Sequence, residues 1–530
     1  MITVLDYGAG NVRSVINAIE RLGESVKVTS RGEDILKAEK LVFPGVGAFG
    51  NMMAILGKHD LIEPLRAYLK KDRPFLGICL GMQALFEHSE ESGGINGLGV
   101  FKGKVQRFDT DLAVPHIGWN GIVQRQPSRL FDGIEPITKF YFVHSYHIVP
   151  EDPAVVLTTT DYDYSFASAV QSGNIAGTQY HPEKSGTAGL RLLKNFIDGK
   201  AAVAAPSARQ APTQLAKRII ACLDVRSNDQ GDLVVTKGDQ YDVREKGAVR
   251  NLGKPVDLAR RYYEEGADEI TFLNITAFRD FPLEDMPMLQ VLQQTSRHVA
   301  VPLTIGGGIR SYTDKEGRTY SALEVASQYF RSGADKISIG SDAVIIAEEY
   351  LKTGQVTGAS AIEEISRVYG SQAVVISIDP RRVYVEKAED TPRQTLRTAF
   401  PGPNGETCCW YECTIKGGRE GRPIDAVTLA QVCEKLGAGE ILLNCIDRDG
   451  TNQGYDLELI QSVKNAVTIP VIASSGAGKP EHFYEVFART NADAALAAGI
   501  FHRREVPIQA VKDYLEGKVA IRPMERTHHL

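Results

Sequence analysis

The second part of the chain repeats itself. Ala221-Cys222-Leu223-Asp224-Val225 matches Ile376-Ser377-Ile378-Asp379-Pro380, and Phe272-Leu273-Asn274-Ile275 matches Leu442-Leu443-Asn444-Cys445. Val301–Gly308 matches Ile469–Gly476, and Gly333-Ala334-Asp335 matches Asn491-Ala492-Asp493. The offsets of 155, 170, 168 and 158 residues keep the order unchanged. Each apolar run reads as a buried strand, and each precedes a stretch with helical spacing. Two such (βα)4 halves predict an α/β fold, a (βα)8 TIM barrel with an internal two-fold repeat.

A barrel of this kind needs about 250 residues. The chain has 530, so a second unit lies ahead of it. Asp198–Pro212 holds small residues, two prolines and almost nothing large to bury, which is how a surface connector reads. The expected division is an N-terminal domain at 1–198, a linker at 199–215 and the barrel at 216–530. In the N-terminal part, Leu41-Val42-Phe43 and Phe75-Leu76-Gly77-Ile78 alternate with helical patterns such as Asn11–Leu22. That alternation predicts a mainly parallel sheet, with antiparallel strands at 140–143 and 175–180. Segments 226–260, 311–322 and 384–422 exceed what the barrel requires and read as insertions.

Lys and Arg total 60 against 66 Asp and Glu, a net charge of −6 that offers no footprint for nucleic acid or an anionic membrane. No apolar run approaches the roughly 18 residues that would span a bilayer. The chain opens directly on strand-like Ile2–Leu5, so no leader is expected. Seven scattered cysteines, an odd number, fit reduced thiols in a cytoplasmic protein better than a disulfide framework. Cys408, Cys409 and Cys413 have no nearby His or Cys-x-x-Cys pair, so neither a metal site nor a cofactor is expected.

Gly77-Ile78-Cys79-Leu80-Gly81 follows an apolar strand and precedes the helical Met82–Leu85. A nucleophile flanked by glycines at a strand-to-helix turn gains a lowered thiol pKa and backbone N–H groups for an oxyanion. A buried structural cysteine is the other reading of such a motif. His181-Pro182-Glu183 supplies a base and a carboxylate to orient it. Pro44-Gly45-Val46-Gly47 adds a glycine-rich loop able to donate oxyanion-hole amides. Together these motifs resemble the class I glutamine amidotransferases across the whole N-terminal domain. The resemblance implies Cys79 as nucleophile, His181 as acid/base and Glu183 as its partner. Gln83, Leu80 and Val46 or Gly47 would hold glutamine and its oxyanion, and ammonia would be released.

In the barrel, Asp224 and Asp379 end strands 1 and 5, related by the repeat and facing across the mouth. Paired carboxylates there suit general acid–base work, although each could instead cap its loop. Gly306-Gly307-Gly308 with Gly340-Ser341 forms one glycine-rich cluster, and Ser475-Gly476-Ala477-Gly478 with Ala498-Gly499 forms its counterpart. Such strand ends are phosphate cradles, or singly, structural turns; their symmetric recurrence predicts a substrate with a phosphate at each end. At the opposite face Arg218, Glu269, Lys336 and Glu440 begin strands 1, 2, 4 and 6. They read either as a salt-bridged ring around the axis or as ordinary strand-end solvation.

Lys217–Val225, Gly306–Ile309, Glu440–Thr451 and Ile472–Gly478 resemble the cyclases of the imidazole glycerol phosphate synthase family of histidine biosynthesis. Fusion to a glutaminase on one chain resembles the fungal and plant arrangement. The resemblance implies that ammonia passes up the barrel to a phosphoribulosyl-formimino aminoimidazole carboxamide ribonucleotide, with Asp224 and Asp379 handling protons. It also makes the Arg218, Glu269, Lys336, Glu440 set an ammonia gate, Lys237 a substrate-contacting loop lysine, and Asn444 and Asp449 substrate contacts. Lys184 and Asp335 match a pair that bridges the domains. Bacterial relatives commonly carry Asp and Thr where this chain has Asn274 and Asn444. The competing readings are another glutaminase–barrel pair, such as pyridoxal phosphate synthase, and a non-catalytic glutamine or nucleotide sensor. The first would need Schiff-base lysines where Asp224 and Asp379 stand, and the second would not need five reactive residues.

Overall fold

The computed structural model describes residues 1–207, 213–228, 232–236, 244–245, 248–249, 251–275, 283 and 286–524. In the N-terminal part a twelve-stranded mixed sheet forms. Its parallel centre runs Val26–Thr29, Ile2–Leu5, Leu41–Gly45, Phe75–Cys79, Ile175–Thr178. Ile2–Leu5, Leu41–Gly45 and Phe75–Cys79 are apolar runs buried on both faces, as a helix-covered parallel sheet demands, while Val26–Thr29 at the sheet's edge is half-exposed. Ile175–Thr178 turns out to have one parallel edge, against Phe75–Cys79, and one antiparallel edge, against Tyr164–Ser172. Lys139–His144 leaves this sheet and pairs antiparallel with His116–Gly121 as a separate ribbon.

The helix Val12–Arg21 buries Val12, Val15 and Ile19 on one face. Its cap, Asn11, accepts from the Ser14 amide at 3.1 Å and donates across the domain boundary to Asp335 Oδ1 at 2.8 Å.

Eight parallel strands form the barrel: Arg218–Ser227, Glu269–Asn274, Leu303–Gly306, Lys336–Ile339, Val374–Ile378, Glu440–Asn444, Val471–Ser474 and Ala494–Ala497. The sheet closes where Arg218–Ala221 pairs with Ala494–Ala497. The repeat therefore does fold as a (βα)8 barrel; Asp379 immediately follows Val374–Ile378, while Asp224 lies within Arg218–Ser227, which runs on past it to pair with Leu233–Val235. Segment 311–322 carries the small hairpin Tyr312–Thr313 with Thr319–Tyr320. Segment 384–422 contributes to an antiparallel sheet of Pro380–Val385, Leu396–Arg397, Cys408–Ile415 and Glu420–Asp425. In segment 226–260, Leu233–Val235 lies antiparallel on the first barrel strand, and Lys237 lies outside the described residues.

The N-terminal domain docks on the face where the barrel strands begin. Lys184 Nζ meets Asp335 Oδ2 at 2.7 Å, and the Leu303 amide donates to the same oxygen at 2.8 Å. Trp119, fully buried, donates its indole N–H to the Asp268 carbonyl at 3.0 Å, beneath the Arg522 guanidinium. The Gly186 amide donates to Ala300 O and the Ala48 amide to Val368 O. Among the described residues no helix is long and apolar enough to cross a membrane.

Candidate active sites

Cys79 sits between the strand Phe75–Cys79 and the one-turn helix Leu80–Gln83, with φ +53° and ψ −107°. A side chain held at positive φ stores about 1–3 kcal/mol of strain and persists only where its surroundings impose it. The surroundings here are glycines. A Cβ at Gly81 would lie 2.0 Å from the Phe43 carbonyl, and one at Gly77 2.5 Å from the Gly81 carbonyl. The turn therefore closes tighter than any other residue permits, and the thiol stands at the start of a helical turn whose first N–H groups, Leu80 included, have no intrahelical acceptor.

Gln179 donates to the Cys79 sulfur at 3.4 Å, and Gln83 donates to Gln179 Oε1 and to the Tyr146 carbonyl, both at 3.0 Å. His181 bonds Glu183 Oε1 through Nδ1 at 2.8 Å, which leaves Nε2 without a hydrogen-bond partner beside Cys79. Burial disfavours charge on this imidazole, but Glu183 and the Cys79 sulfur together outweigh it and hold its pKa well above the usual histidine range. Val46 and Gly47 follow Leu41–Gly45, which pairs in register with Phe75–Cys79 so that Gly45 faces Cys79. The Tyr7 hydroxyl donates to the Val46 carbonyl at 2.9 Å, and the Gly47 N–H on the same planar peptide points the opposite way.

Beyond the cysteine pocket, at the barrel floor, Arg218, Glu269, Lys336 and Glu440 are all fully buried and close a ring. Arg218 pairs with Glu269 at 2.8 Å and with Glu440, and Lys336 pairs with Glu269 at 2.7 Å and Glu440 at 2.6 Å. Thr304 donates to Glu269 at 2.7 Å. Of the two sequence readings, the ring is the one that forms. Burial opposes charge on both Arg218 and Glu269; the surrounding opposite charges win, holding the guanidinium above its usual range and the carboxyl below its own.

A cavity of about 470 Å³ opens at the other end of the barrel. Asp224 and Asp379 both line it, with Asn444 and Asp449. Gly307, Gly308, Gly340 and Ser341 line it from the first half; Ser475, Gly476, Ala498 and Gly499 line it from the second. Gly478 stands outside it, where a Cβ would meet the Asn452 carbonyl at 2.3 Å, so its glycine serves the loop. Burial pushes the Asp379 carboxyl above the usual aspartate range; the Asn444 amide, bonded to Oδ1 at 2.8 Å, opposes the shift, and nearby Asp449 adds to it. A larger cleft, about 830 Å³, lies at the domain seam between Val12–Arg21 and Pro255–Glu264 and holds none of these residues.

Sequence reasoning missed Gln179 and Tyr141. Tyr141, 1% exposed, accepts the His181 amide on its carbonyl at 2.9 Å, while its hydroxyl, with no hydrogen-bond partner, feels the charges of Glu269 and Arg218. It thus spans the distance from the histidine to the ring. No motif marks it, since its place depends on the His116–Gly121 ribbon docking on the barrel.

Residues 3–199 match the family described as glutamine amidotransferase class-I, and residues 218–507 match the one described as histidine biosynthesis protein. Imidazole glycerol phosphate synthase hisHF, chloroplastic, of Arabidopsis thaliana is 58% identical over 97% of this chain and 88% of its own. The hisHF enzyme of Schizosaccharomyces pombe is 56% identical over 97% of this chain and 98% of its own. The subunit HisF of Methanothermobacter thermautotrophicus is 43% identical over 57% of this chain and 97% of its own, so there the barrel half stands as a separate protein.

Proposed function

Because the chain belongs to the fused imidazole glycerol phosphate synthases of histidine biosynthesis, an amidotransferase and a cyclase on one polypeptide, we propose that it carries glutamine nitrogen from Cys79 to the barrel mouth. Residues 1–198 act as the glutaminase, 199–215 as the linker and 216–530 as the cyclase. The Cys79 thiolate attacks the glutamine amide carbon, and the Leu80 and Gly47 amides receive the oxyanion. His181 Nε2 gives its proton to the leaving nitrogen, so ammonia departs and a glutamyl thioester remains. His181 then takes a proton from water, which hydrolyses the thioester to glutamate and restores the thiol. Glu183 holds the imidazole with Nε2 turned to the sulfur, and Gln83 and Gln179 flank the glutamine.

Ammonia enters the barrel at the ring of Arg218, Glu269, Lys336 and Glu440, which must part for it to pass. At the mouth it attacks the ketose carbon of the phosphoribulosyl-formimino aminoimidazole carboxamide ribonucleotide. Asp379, whose carboxyl burial pushes above the usual aspartate range, serves as acid, and Asp224 opposite serves as base. Imine formation, cleavage and ring closure give imidazole glycerol phosphate and aminoimidazole carboxamide ribonucleotide. The paired glycine-rich strand ends hold a phosphate at each end of this substrate, with Asn444, Asp449 and Lys237 as further substrate contacts. The scattered cysteines support a cytoplasmic setting.

The observation that carries this reading is the succession from Cys79 through His181 and Tyr141 to the buried ring, at the floor of the barrel whose mouth Asp224 and Asp379 line. Cys79→Ala is expected to abolish glutamine-dependent formation of imidazole glycerol phosphate and to spare formation from ammonium salt. Loss of both activities in a folded variant would refute the division into donor and acceptor.

A further inference from the structure

Segment 384–422 has no part in the reaction as described, yet one of its turns reaches the active cavity. Cys408–Ile415 and Glu420–Asp425 pair antiparallel, and the turn between them reverses through Lys416, Gly417 and Gly418, all at positive φ. Three attachments fix the turn in place. The Thr414 amide and hydroxyl both donate to the Asp379 carbonyl, at 3.1 and 2.7 Å. The Lys416 amide donates to Ser341 Oγ at 3.0 Å, and Arg422 Nε donates to Glu348 at 2.9 Å on the helix that Ser341 begins.

Held this way, Lys416, Gly417 and Arg419 line the cavity beside Gly340 and Ser341. The cations around the turn are not equivalent. Lys416 is paired with Glu420 at 2.7 Å, and Arg422 with Glu348 and Glu420. The Arg419 guanidinium has no hydrogen-bond or ion-pair partner among the described residues. On the cavity wall below, Ser338 is 2% exposed and its hydroxyl is likewise unpartnered. A buried hydroxyl is costly to leave unsatisfied, and a guanidinium presents a planar fork that matches phosphate oxygens in pairs.

We propose that Arg419 is the cationic jaw of a phosphate clamp, closing from the inserted hairpin over the Gly340–Ser341 strand end. It would recognise the terminal phosphate at that end of the ribonucleotide, with the Ser338 hydroxyl turned to the same part of the ligand. The inference rests on the proposed reading that the substrate carries a phosphate at each end. The hairpin's bonds to the Asp379 carbonyl keep the clamp in fixed register with the acid, so the bound phosphate sets where the ketose carbon lies.

The test uses the full-length enzyme with ammonium salt as nitrogen source, varying the phosphoribulosyl nucleotide and adding inorganic phosphate as competitor. Arg419→Gln is expected to raise KM by about 10–100-fold, the size of a lost charge-assisted hydrogen bond, with little change in kcat. Inorganic phosphate should inhibit it less than the wild type. Arg419→Lys, which keeps the charge without the fork, should recover part of the loss. An unchanged KM in Arg419→Gln, or a fall in kcat alone, would overturn the clamp while leaving the cyclase reading intact. Failure of the wild type to turn over this nucleotide would overturn both.

Discussion

At the scale of single residues, burial pushes the Asp379 carboxyl upward and the Asn444 amide opposes the push. Removing that amide takes away a bond that favours the carboxylate, so Asn444→Ala should raise the Asp379 pKa further. The limb of the pH–rate profile that belongs to Asp379 should then move to higher pH, measured with ammonium salt at constant free ammonia. A limb that stays in place or moves to lower pH would remove Asp379 from that limb. Replacing Asp224 or Asp379 by Asn should cost about 10²–10⁴-fold in cyclisation from either nitrogen source, while glutamine still acylates Cys79. Cys79, His181 and Glu183 were legible because each lies in a short motif whose chemistry is local. Gln179 and Tyr141 were not, because strand pairing and domain docking alone bring them to the sulfur and the ring.

At the scale of elements, the strand–turn–helix around Cys79 is built on backbone approaches that exclude a methyl group. Gly81→Ala would set a Cβ 2.0 Å from the Phe43 carbonyl oxygen, a backbone atom of a buried strand and not the end of a flexible side chain. A loss of more than about 4 kcal/mol is expected in a denaturant melt of the N-terminal domain, with Cys79 alkylation by glutamine analogues lost. A variant with full stability and a reactive Cys79 would show that the turn tolerates a looser form. The barrel was legible at this scale because its repeat carries strand and helix periods in register. The sheet built on segment 384–422 was not: its strands interrupt the repeat, and their pairing depends on the barrel beneath. The Lys139–His144 strand was legible as antiparallel but its partner was not, an apolar run being silent about which edge it joins.

At the scale of the whole molecule, a buried ring of charges closes the barrel floor and an ion pair, Lys184 with Asp335, crosses to the N-terminal domain. The ring holds two cations and two carboxylates with no exposure, so Lys336→Met would leave Glu269 and Glu440 sharing Arg218 alone. That change should cost about 3–5 kcal/mol, the range for breaking a buried ion pair, read by denaturant unfolding of the barrel. Lys184, paired with Asp335 across the boundary, has a different expected effect. Lys184→Ala should leave ammonium-dependent cyclisation unchanged and lower the glutamine-dependent rate, because it loosens the docking and not the mouth. Equal losses from both nitrogen sources would place its effect within the barrel. The most direct test of the proposed ammonia route from Cys79 to the mouth is an isotope competition. The wild type is given glutamine labelled with nitrogen-15 at the amide, in a large excess of unlabelled ammonium, and the new imidazole nitrogen is analysed by mass spectrometry. Label retained well above the bulk ratio is the expected result; label diluted to the bulk ratio would mean that ammonia leaves into solvent before it reaches Asp224 and Asp379.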